Sequence, residues 1–479
     1  MTNASRNEDG PLSNSFRDPS GFVFRKNGLI YRQINQSYSV TWESFIGCGL
    51  YASLVESGDL ISHEVASDEK MQTPEGWLII RPDLVGFWSY PYEWCFSQLK
   101  EAALTTLRIQ EKALSYGMSM KDASAFNIQF INGRPILIDS LSFERFNPAK
   151  GWQGFRQFCM HFLAPLALMS MRDPRLAQLF TVHFDGIPLD LASSLLPLRS
   201  WFRFSTLMYV HLQAQTERRH SGKERAAPVT HTITSERVAA LVKQMESAIN
   251  KMDVRASSCW TDYFSTAQSQ QEAHADKERL VRGYLDTVTP QKVWDFGGNI
   301  GHFSRVAAKK SSVVISFDLD PACVEVNYRK CKAEGCTNVL PLLLDLTNPS
   351  GRIGWDNGET MSLSDRGPTD LILSLALVHH LAIGKNLPLD RIAKWLSTLT
   401  NYLIIEFVPK SDPMVQRMLT HREDIFPDYD QNSFESIFSQ YFRIIRSDKI
   451  SGSGRLLHLM KAMGENRSVR TDCSNIIAN

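Results

Sequence analysis

The chain has almost no net charge and no closely spaced cysteine pair. Its 52 lysines and arginines balance 51 aspartates and glutamates, so the formal net charge is +1 over 479 residues. Because nucleic-acid-binding proteins usually show a basic excess, we predict no nucleic-acid partner. The eight cysteines form no CxxC pair and lie mostly in apolar or helical surroundings. This usage is typical of a reducing cytoplasm, and we predict a cytoplasmic protein without a metal site.

Long apolar runs are also missing. The longest, residues 158–171, is interrupted by His161 and Pro165. It is too short to span a bilayer and is expected to form a buried helix. The polar N-terminus does not have the pattern of a signal peptide. We therefore predict no membrane span.

A glycine-rich motif is the most informative feature that the chain does have. Residues 295–301 read Asp-Phe-Gly-Gly-Asn-Ile-Gly; they follow an apolar segment, residues 292–294, and precede a helical pattern, residues 302–309. This order predicts a strand, a glycine turn and the start of a helix. Glycine permits positive φ and close backbone approach, and the free amides of a helix N-terminus favour electron-rich groups. The motif therefore predicts a site for a nucleotide-like cofactor.

Acidic residues follow the next two predicted strands. Residues 312–317 form a strand that ends at Asp318, about 20 residues beyond the glycine turn, where a carboxylate can accept hydrogen bonds from a ribose diol. Asp320 is the alternative, and we favour Asp318 because it lies at the strand tip. Residues 339–344 form a third strand, which closes on Asp345. That carboxylate can meet the exocyclic amine of an adenine.

In this order the elements resemble class I S-adenosylmethionine (SAM) methyltransferases, with Asn299 at the middle glycine position of the commoner GxGxG form. The resemblance implies a Rossmann-like α/β domain with a seven-stranded sheet and a C-terminal antiparallel hairpin. It also implies SAM as cofactor, because an acid at the end of the first strand suits the methionine ammonium and would repel a pyrophosphate. The cofactor-binding residues that it implies are Asp295, Gly297, Gly298, Asn299, Gly301, Asp318 and Asp345.

Two histidines follow the fourth predicted strand, residues 370–377. His379 and His380 leave that strand at the carboxyl edge of the sheet, where substrate meets SAM in this fold. A histidine suits the general base that an oxygen acceptor needs near neutral pH, so these two are the predicted catalytic residues. The alternative is that one packs beneath the cofactor and the other caps the next helix. Glu406 is a further candidate, since a charge among apolar strand residues must be paired or face the cleft.

The N-terminal half shows a second resemblance. Residues 22–25 and 29–33 are expected to pair as strands around Lys26-Asn-Gly28, and residues 94–116 are expected to form a helix that ends at Gly117. The following run, KDASAFNIQFINGRPILIDS, resembles the catalytic segment of protein kinases and related small-molecule kinases. In that family, residues at the positions of Asp122, Asn127 and Asp139 orient the acceptor hydroxyl and hold magnesium on ATP.

Other kinase motifs are missing from this half. No His precedes Asp122 by two positions, Ser140-Leu141 follows Asp139 in place of Phe-Gly, and no Gly-rich loop is present. Arg32 or Arg25 would therefore have to bind phosphate. The alternative is an α+β domain in which Asp and Asn form turns.

The composition also predicts the domain boundaries. The expected segments are a disordered N-terminus (1–20), an α+β domain that resembles kinases (21–215), a linker (216–235), a helical lid or connector (236–289), the methyltransferase domain (290–462) and a disordered tail (463–479). The lid candidates are Trp260, Tyr263 and Lys277, although ordinary packing would explain them equally well. Residues 346–369 are expected to form a surface insertion.

Nearly the whole chain resembles a group of two-part bacterial proteins that are generally labelled SAM-dependent methyltransferases, some of them related to a rhizobial nodulation protein. The resemblance implies methyl transfer to a small molecule or biosynthetic intermediate, with the N-terminal domain recognising substrate or a protein partner. The residues leave two alternatives open. One is a phosphotransferase, or a bifunctional protein, that uses Mg-ATP; the other is a non-catalytic SAM-binding scaffold.

Overall fold

A computed structural model describes residues 9–202, 206–215, 232–255, 268–420 and 423–464. Its backbone contacts group into two compact units. The first comprises Met1–Ser258, Asp320–Leu344 and Ser350–Ser362, and the second comprises Cys259–Leu319, Asp345–Pro349 and Leu363–Asn479. Within the described ranges, no helix combines the length and the apolar character that crossing a bilayer requires.

Runs of strands and of helices follow one another in the first half of the chain, and strands alternate with α-helices mainly in the second half. The strands are β1 (Gly10–Pro11), β2 (Gly21–Lys26), β3 (Leu29–Asn35), β4 (His63–Val65), β5 (Gly76–Pro82), β6 (Met118–Met120), β7 (Ile128–Ile131), β8 (Arg134–Leu137), β9 (Phe143–Arg145), β10 (Lys292–Phe296), β11 (Val313–Asp318), β12 (Val339–Leu343), β13 (Thr369–Ser374), β14 (Thr400–Phe407), β15 (Phe442–Lys449) and β16 (Leu456–Ala462). The α-helices are α1 (Ser39–Gly47), α2 (Leu50–Glu56), α3 (Phe96–Ser115), α4 (Phe155–Phe158), α5 (Ala164–Met171), α6 (Leu189–Leu195), α7 (Ser235–Asn250), α8 (Gln268–Val288), α9 (His302–Ala308), α10 (Pro321–Ala333), α11 (Leu389–Leu399), α12 (Pro413–Leu419) and α13 (Gln431–Phe438).

An antiparallel sheet of five strands, in the order β1-β2-β3-β5-β4, begins the first unit. Its hairpin between β2 and β3 turns at Asn27 and Gly28, whose φ angles are 52° and 79°. A two-residue turn with positive φ at both positions matches the twist of the strands it joins, which explains the Asn-Gly sequence. The aromatic rings of Phe24 and Tyr31 stack against each other on one face of this sheet. The predicted strand pair is therefore confirmed.

The long helix α3 organises the rest of the first unit. At the N-terminus of α3, the side chain of Gln98 accepts a hydrogen bond from the backbone N–H of Cys95 at 2.9 Å. The helix ends before Gly117, whose φ is 71°. Helices α7 and α10 both pack against α3. Within this unit the carboxylate of Glu325, on α10, accepts a hydrogen bond from the backbone N–H of Ser97 at 3.0 Å.

The larger sheet has the strand order β12-β11-β10-β13-β14-β16-β15. Strand β10 pairs in parallel with β11 on one side and with β13 on the other, and β16 runs antiparallel to both β14 and β15. Most residues of the central strands are apolar and buried, as expected for parallel strands that are covered on both faces. This confirms the predicted Rossmann-like α/β fold, including the antiparallel hairpin near the end of the chain.

The units differ from the predicted boundaries in several places. Residues 9–20 were expected to be disordered, but Gly10–Pro11 pairs with β2 and Arg17 forms an ion pair with Glu359 at 2.6 Å. Part of the expected surface insertion, residues 350–362, also belongs to the first unit. The expected lid or connector, residues 236–289, is divided between the two units. Helix α7 belongs to the first unit, where it packs on α3, whereas α8 belongs to the second.

Other boundary predictions fall partly outside the described residues. Ser235 already begins α7, and residues 216–231 of the expected linker are not described. The backbone N–H of Met463 bonds to the carbonyl oxygen of Tyr441 at 2.8 Å, while residues 465–479 of the expected tail lie outside the described ranges. Trp260 and Tyr263, two of the lid candidates, also lie outside them.

Candidate active site

The glycine turn joins β10 to α9 and is held against the end of β11. The backbone N–H groups of Gly297 and Gly298 both donate to the carbonyl oxygen of Phe317 at 2.9 Å. Gly297 and Gly301 have φ angles of 74° and 78°, in the left-handed region that favours glycine, and Asn299 has a φ of 48°. These conformations require the residue types that the motif supplies.

Gly298 has no room for a side chain. A Cβ atom there would lie 2.3 Å from the Oγ of Ser316 and 3.2 Å from an Oδ of Asp295. At Gly297 the equivalent atom would lie 3.3 Å from a methyl carbon of Leu377, which follows β13. Since both glycines face close neighbours, a side chain at either position would force the turn or its neighbours to shift.

Asp295 lies buried at the end of β10, with 2% of its surface exposed. One of its carboxylate oxygens accepts a hydrogen bond from the hydroxyl of Ser304 at 2.6 Å, and the hydroxyl oxygen of Ser316 lies 2.8 Å from that of Ser304, within hydrogen-bond distance. Burial raises the pKa of Asp295 to about 6, against the opposing effect of the Ser304 hydrogen bond, and the negative charge of Asp318 adds to the rise. A cation near this carboxylate would favour its ionised form. The predicted contact with the methionine ammonium stays a prediction.

Asp318 and Asp345 occupy the strand ends that the sequence indicated. The carboxylate of Asp318 accepts a hydrogen bond from the backbone N–H of Asn299 at 2.8 Å, so the structure joins it directly to the glycine turn. The carboxylate of Asp345 accepts from the backbone N–H and the hydroxyl of Thr347, at 2.8 Å and 2.6 Å. Binding of ribose and adenine by these residues stays a prediction.

The position of the turn in the sheet is itself informative. Phe296, the last residue of β10, pairs with Phe317 of β11 and with Ser374 of β13. Strand β10 thus lies between β11, which is the next strand in the chain, and β13, which comes later. Strands that are added on opposite sides of a central strand in this way define a topological switch point. In open α/β sheets, ligands bind in the crevice at the carboxyl ends of the strands at such a point.

His379 follows β13 at this same edge and is almost completely buried, with 1% of its surface exposed. Neither of its ring nitrogens has a hydrogen-bond partner within the described part of the chain. Burial, together with the charges of the neighbouring His380 and Arg455, lowers the pKa of His379 to about 3. The rings of His379 and His380 lie 4.2 Å apart between centroids.

The pKa shifts bear on whether each histidine can act as the predicted general base. A general base works best when its pKa is near the working pH, and His379 is a poor base because its pKa is near 3. It is neutral at pH 7, and a neutral imidazole can accept or donate one hydrogen bond at each nitrogen. His380 is less buried, and burial followed by Arg455 lowers its pKa as well. Catalysis by either histidine stays a prediction.

A group of buried charges surrounds Glu406 on β14. Its side chain is fully buried and forms ion pairs with Lys277 of α8 and, at 3.1 Å, with Arg455. Arg455 also pairs with Asp412 at 2.8 Å. Burial alone would raise the pKa of Glu406, but the charges of Lys277 and Arg455 outweigh it and the pKa is lowered. The expectation that Glu406 must be paired or face the cleft is therefore met by pairing.

Lys277 connects this charged group with the rest of the site. Its positive charge acts on the pKa of Asp295 and on that of His379, so all three lie in one region of the second unit. Sequence reasoning named Lys277 as a lid candidate, and the structure shows it paired with Glu406. Four further residues of the site were not predicted from the sequence: Ser304, Ser316, Asp412 and Arg455. A single sequence does not show whether a hydroxyl or charged side chain is buried.

The kinase-resembling residues of the first unit also come together. Asp139 forms an ion pair with Arg32 of β3 and accepts a hydrogen bond from the hydroxyl of Ser142 at 2.7 Å. Burial raises the pKa of Asp122, and the nearby charge of Asp139 raises it further. A hydrogen bond between Asp122 and Asn127 opposes this rise. Of the two arginines proposed from sequence, Arg32 is the one paired with Asp139.

Fold and site together define a two-part protein whose second unit is a Rossmann-like α/β domain with a cofactor-type glycine turn. No protein-family model matches the chain. Over 457 residues it is 34% identical to the nodulation protein NoeA of Rhizobium meliloti (strain 1021), and the match covers 94% of this chain and 95% of NoeA. The chain therefore belongs to the family of nodulation protein NoeA, which confirms the resemblance to a rhizobial nodulation protein.

Solved structures also show partial similarity. The magnesium protoporphyrin IX methyltransferase (ChlM) of Synechocystis PCC 6803 with bound SAH is 17% identical, over 41% of this chain and 89% of its own, with a TM-score of 0.31. The N-methyltransferase NodS of Bradyrhizobium japonicum WM9 is 11% identical, over 40% of this chain and 97% of its own, also with a TM-score of 0.31. With TM-scores this low, neither similarity establishes the activity of the chain.

Proposed function

We propose that the chain is a cytoplasmic SAM-dependent methyltransferase that acts on a small molecule or biosynthetic intermediate, while the first unit recognises substrate or a protein partner. The observation that carries this proposal is the glycine turn at the switch point of the larger sheet, with Gly298 too confined for a side chain and Asn299 bonded to Asp318. A turn of this kind places the strand-end carboxylates beside one crevice.

The residues present fit SAM on two observations. The turn offers close backbone approach at Gly297 and Gly298, and the buried His379 offers two ring nitrogens that no described residue satisfies. The cofactor would be held by Asp295 at its ammonium group, by Asp318 at its ribose hydroxyls and by Asp345 at its adenine amine. An ammonium beside Asp295 would favour the ionised carboxylate, despite the pKa of about 6 that burial gives it.

Bound SAM supplies an activated methyl group on its sulfonium. The chain itself has to align the acceptor and exclude water, because the transfer is an in-line displacement. His379 is neutral at pH 7, so one of its ring nitrogens can accept a hydrogen bond from the acceptor and orient it. His380 is the more exposed of the two, and a ring nitrogen of His380 takes the proton that an oxygen or nitrogen acceptor loses.

Methyl transfer from labelled SAM tests this function. We expect the purified full chain to transfer label from SAM into a small molecule of a host metabolite extract, and we expect the variant His379→Ala with His380→Ala to transfer none. SAM binding without any transfer into the extract would favour the non-catalytic scaffold. Transfer that continues in the double variant would contradict the role of the histidines.

A second candidate function, phosphotransfer in the first unit, is favoured by the cluster around Asp139. Asp122, Asn127 and Asp139 interact there, and Arg32 places a cation on the central strand of the five-stranded sheet. Acidic and amide side chains hold magnesium on ATP in kinases, and a cation binds the phosphates. Calorimetric titration with Mg-ATP tests this function.

We expect magnesium-dependent ATP binding that Asp139→Asn abolishes. The control Asp173→Asn changes an exposed ion pair of the same unit, with Arg175, and should bind Mg-ATP like the unaltered chain. Absence of Mg-ATP binding by the unaltered chain would contradict this second function and would leave the methyltransferase proposal untouched.

A further inference from the structure

Three metal-ligating side chains meet in the second unit, and neither proposed reaction uses them. His274 and Glu278 lie on α8, and His302 is the first residue of α9. One ligand atom from each lies within 4.8 Å of the other two. We propose that His274, Glu278 and His302 form a binding site for a divalent cation of the zinc type.

Local structure brings the three side chains to one point. Residues four apart on a helix lie on the same face, so α8 presents His274 and Glu278 together. The left-handed conformation of Gly301, with a φ of 78°, starts α9 at His302. The rings of His274 and His302 lie 4.5 Å apart between centroids, and Nε2 of His302 lies 2.7 Å from a carboxylate oxygen of Glu278.

The ligand types favour zinc over calcium or magnesium. Two imidazoles and one carboxylate are a known zinc set that leaves a fourth position open, whereas calcium and magnesium prefer oxygen ligands. In a tetrahedral site with bonds of about 2.0 Å, neighbouring ligand atoms lie roughly 3.3 Å apart. Ligand atoms that now lie within 4.8 Å of one another can reach this spacing by small side-chain rotations.

The surroundings leave the site accessible and hold one ligand in place. The side chains of His302 and Glu278 are 35% and 24% exposed, so water can reach the fourth position. Arg282 donates a hydrogen bond to the other carboxylate oxygen of Glu278 at 2.9 Å and orients it, as groups behind metal ligands commonly do. An ion would replace the direct contact between His302 and Glu278, and it would join α8 to the helix that begins directly after the glycine turn.

Titration with zinc alone tests the site. The untagged full chain, freed of metal by a chelator, is titrated with Zn²⁺ by calorimetry, and Co²⁺ is added separately to obtain a visible spectrum. We expect one ion per chain, bound at this site. His302→Gln and Glu278→Gln should each lower the Zn²⁺ affinity by about tenfold or more, because loss of even a group behind the ligands costs about that much. The Co²⁺ spectrum should weaken in both variants.

His183→Gln is the matched control, since it removes a partly exposed histidine of the first unit, and it should bind Zn²⁺ like the unaltered chain. Thermal unfolding shows whether each variant is folded. Lack of Zn²⁺ binding by the folded, unaltered chain would overturn the proposal. Unchanged affinity in folded His302→Gln or Glu278→Gln would overturn it equally.

Discussion

The hydroxyl of Ser304 donates a hydrogen bond to the buried carboxylate of Asp295 at 2.6 Å, beneath the glycine turn. This bond couples the first turn of α9 to the last residues of β10, which are the two elements that the glycine turn connects. It does not fully offset the burial of the carboxylate, because the pKa of Asp295 is still raised to about 6. A buried acid whose pKa is raised in this way reduces stability at neutral pH, where it is largely ionised.

Asp295→Asn should therefore stabilise the protein above pH 6 and weaken SAM binding. The pKa of Asp295 rises from 3.8 in the unfolded chain to about 6 in the folded protein. The folded state binds the proton more tightly, so the contribution of Asp295 favours folding below pH 4 and is lost as the pH rises through 6. At pH 8 the variant should gain up to about 3 kcal/mol in free energy of unfolding. Urea unfolding of both proteins between pH 4 and pH 8 measures this gain.

The difference between the two proteins should shrink towards zero near pH 4. His379 acts in the opposite direction, because its lowered pKa makes the folded state lose stability as the pH falls below 6.5. His379 is present in both proteins, and its effect cancels in the comparison. A difference in free energy of unfolding that stays constant between pH 4 and pH 8 would show that burial does not raise the pKa of Asp295.

Gly298→Ala should abolish SAM binding or weaken it at least about tenfold, a loss of 1.4 kcal/mol or more. The new Cβ would lie 2.3 Å from Oγ of Ser316, so the turn would have to move. Adding Ser316→Ala removes that clash and should restore part of the affinity. Gly283→Ala is the matched control, because a Cβ at this α8 position meets nothing within 4 Å. It should keep its SAM affinity and gain up to about 1 kcal/mol in stability.

The variant His379→Ala with His380→Ala should keep SAM affinity within about threefold, or less than 1 kcal/mol. It should lose at least about a hundredfold in turnover, because positioned acid–base groups commonly contribute that much. Calorimetry with SAM and a labelled-methyl assay measure the two quantities on the same sample. A variant that loses SAM affinity and turnover in parallel would place these residues in cofactor binding instead.

Glu406→Gln should lower the free energy of unfolding by roughly 3 kcal/mol. The substitution leaves the positive charge of Lys277 largely buried without its anionic partner, while Arg455 keeps only Asp412, and removal of one partner is the costly way to break a buried ion pair. Glu64→Gln removes the same type of charge from an exposed pair with Arg81 and should cost at most about 1 kcal/mol. Denaturant unfolding of both variants measures the difference, and equal losses would contradict the importance of the buried pairs.

Local features of the chain were predictable because short segments determine them. The Asn27-Gly28 hairpin, the end of α3 before Gly117 and the turn at residues 297–301 all depend on residues that tolerate positive φ. Strand-end acids such as Asp318 were predictable for a related reason, since parallel strands bring their carboxyl ends to one edge. The order of the strands, the glycine turn and the strand-end acids carried the resemblance that implied the Rossmann-like sheet.

Long-range partners were not predictable from one sequence. The ion pair between Arg17 and Glu359 joins residues 342 positions apart and orders a segment that composition alone suggested was disordered. The grouping of residues 320–344 with the first unit likewise depends on contacts such as the one between Ser97 and Glu325. His274 and His302 are too far apart in the chain to form a recognisable metal motif, and only the packing of α8 on α9 brings them together.

Calorimetric titration of the purified full chain with SAM is the most direct test of the proposed methyltransferase site. We predict one SAM bound per chain, with binding lost in Gly298→Ala and kept in Gly283→Ala. Failure of the folded, unaltered chain to bind SAM, or equal binding by both glycine variants, would contradict the assignment of the turn at residues 297–301 as the cofactor site.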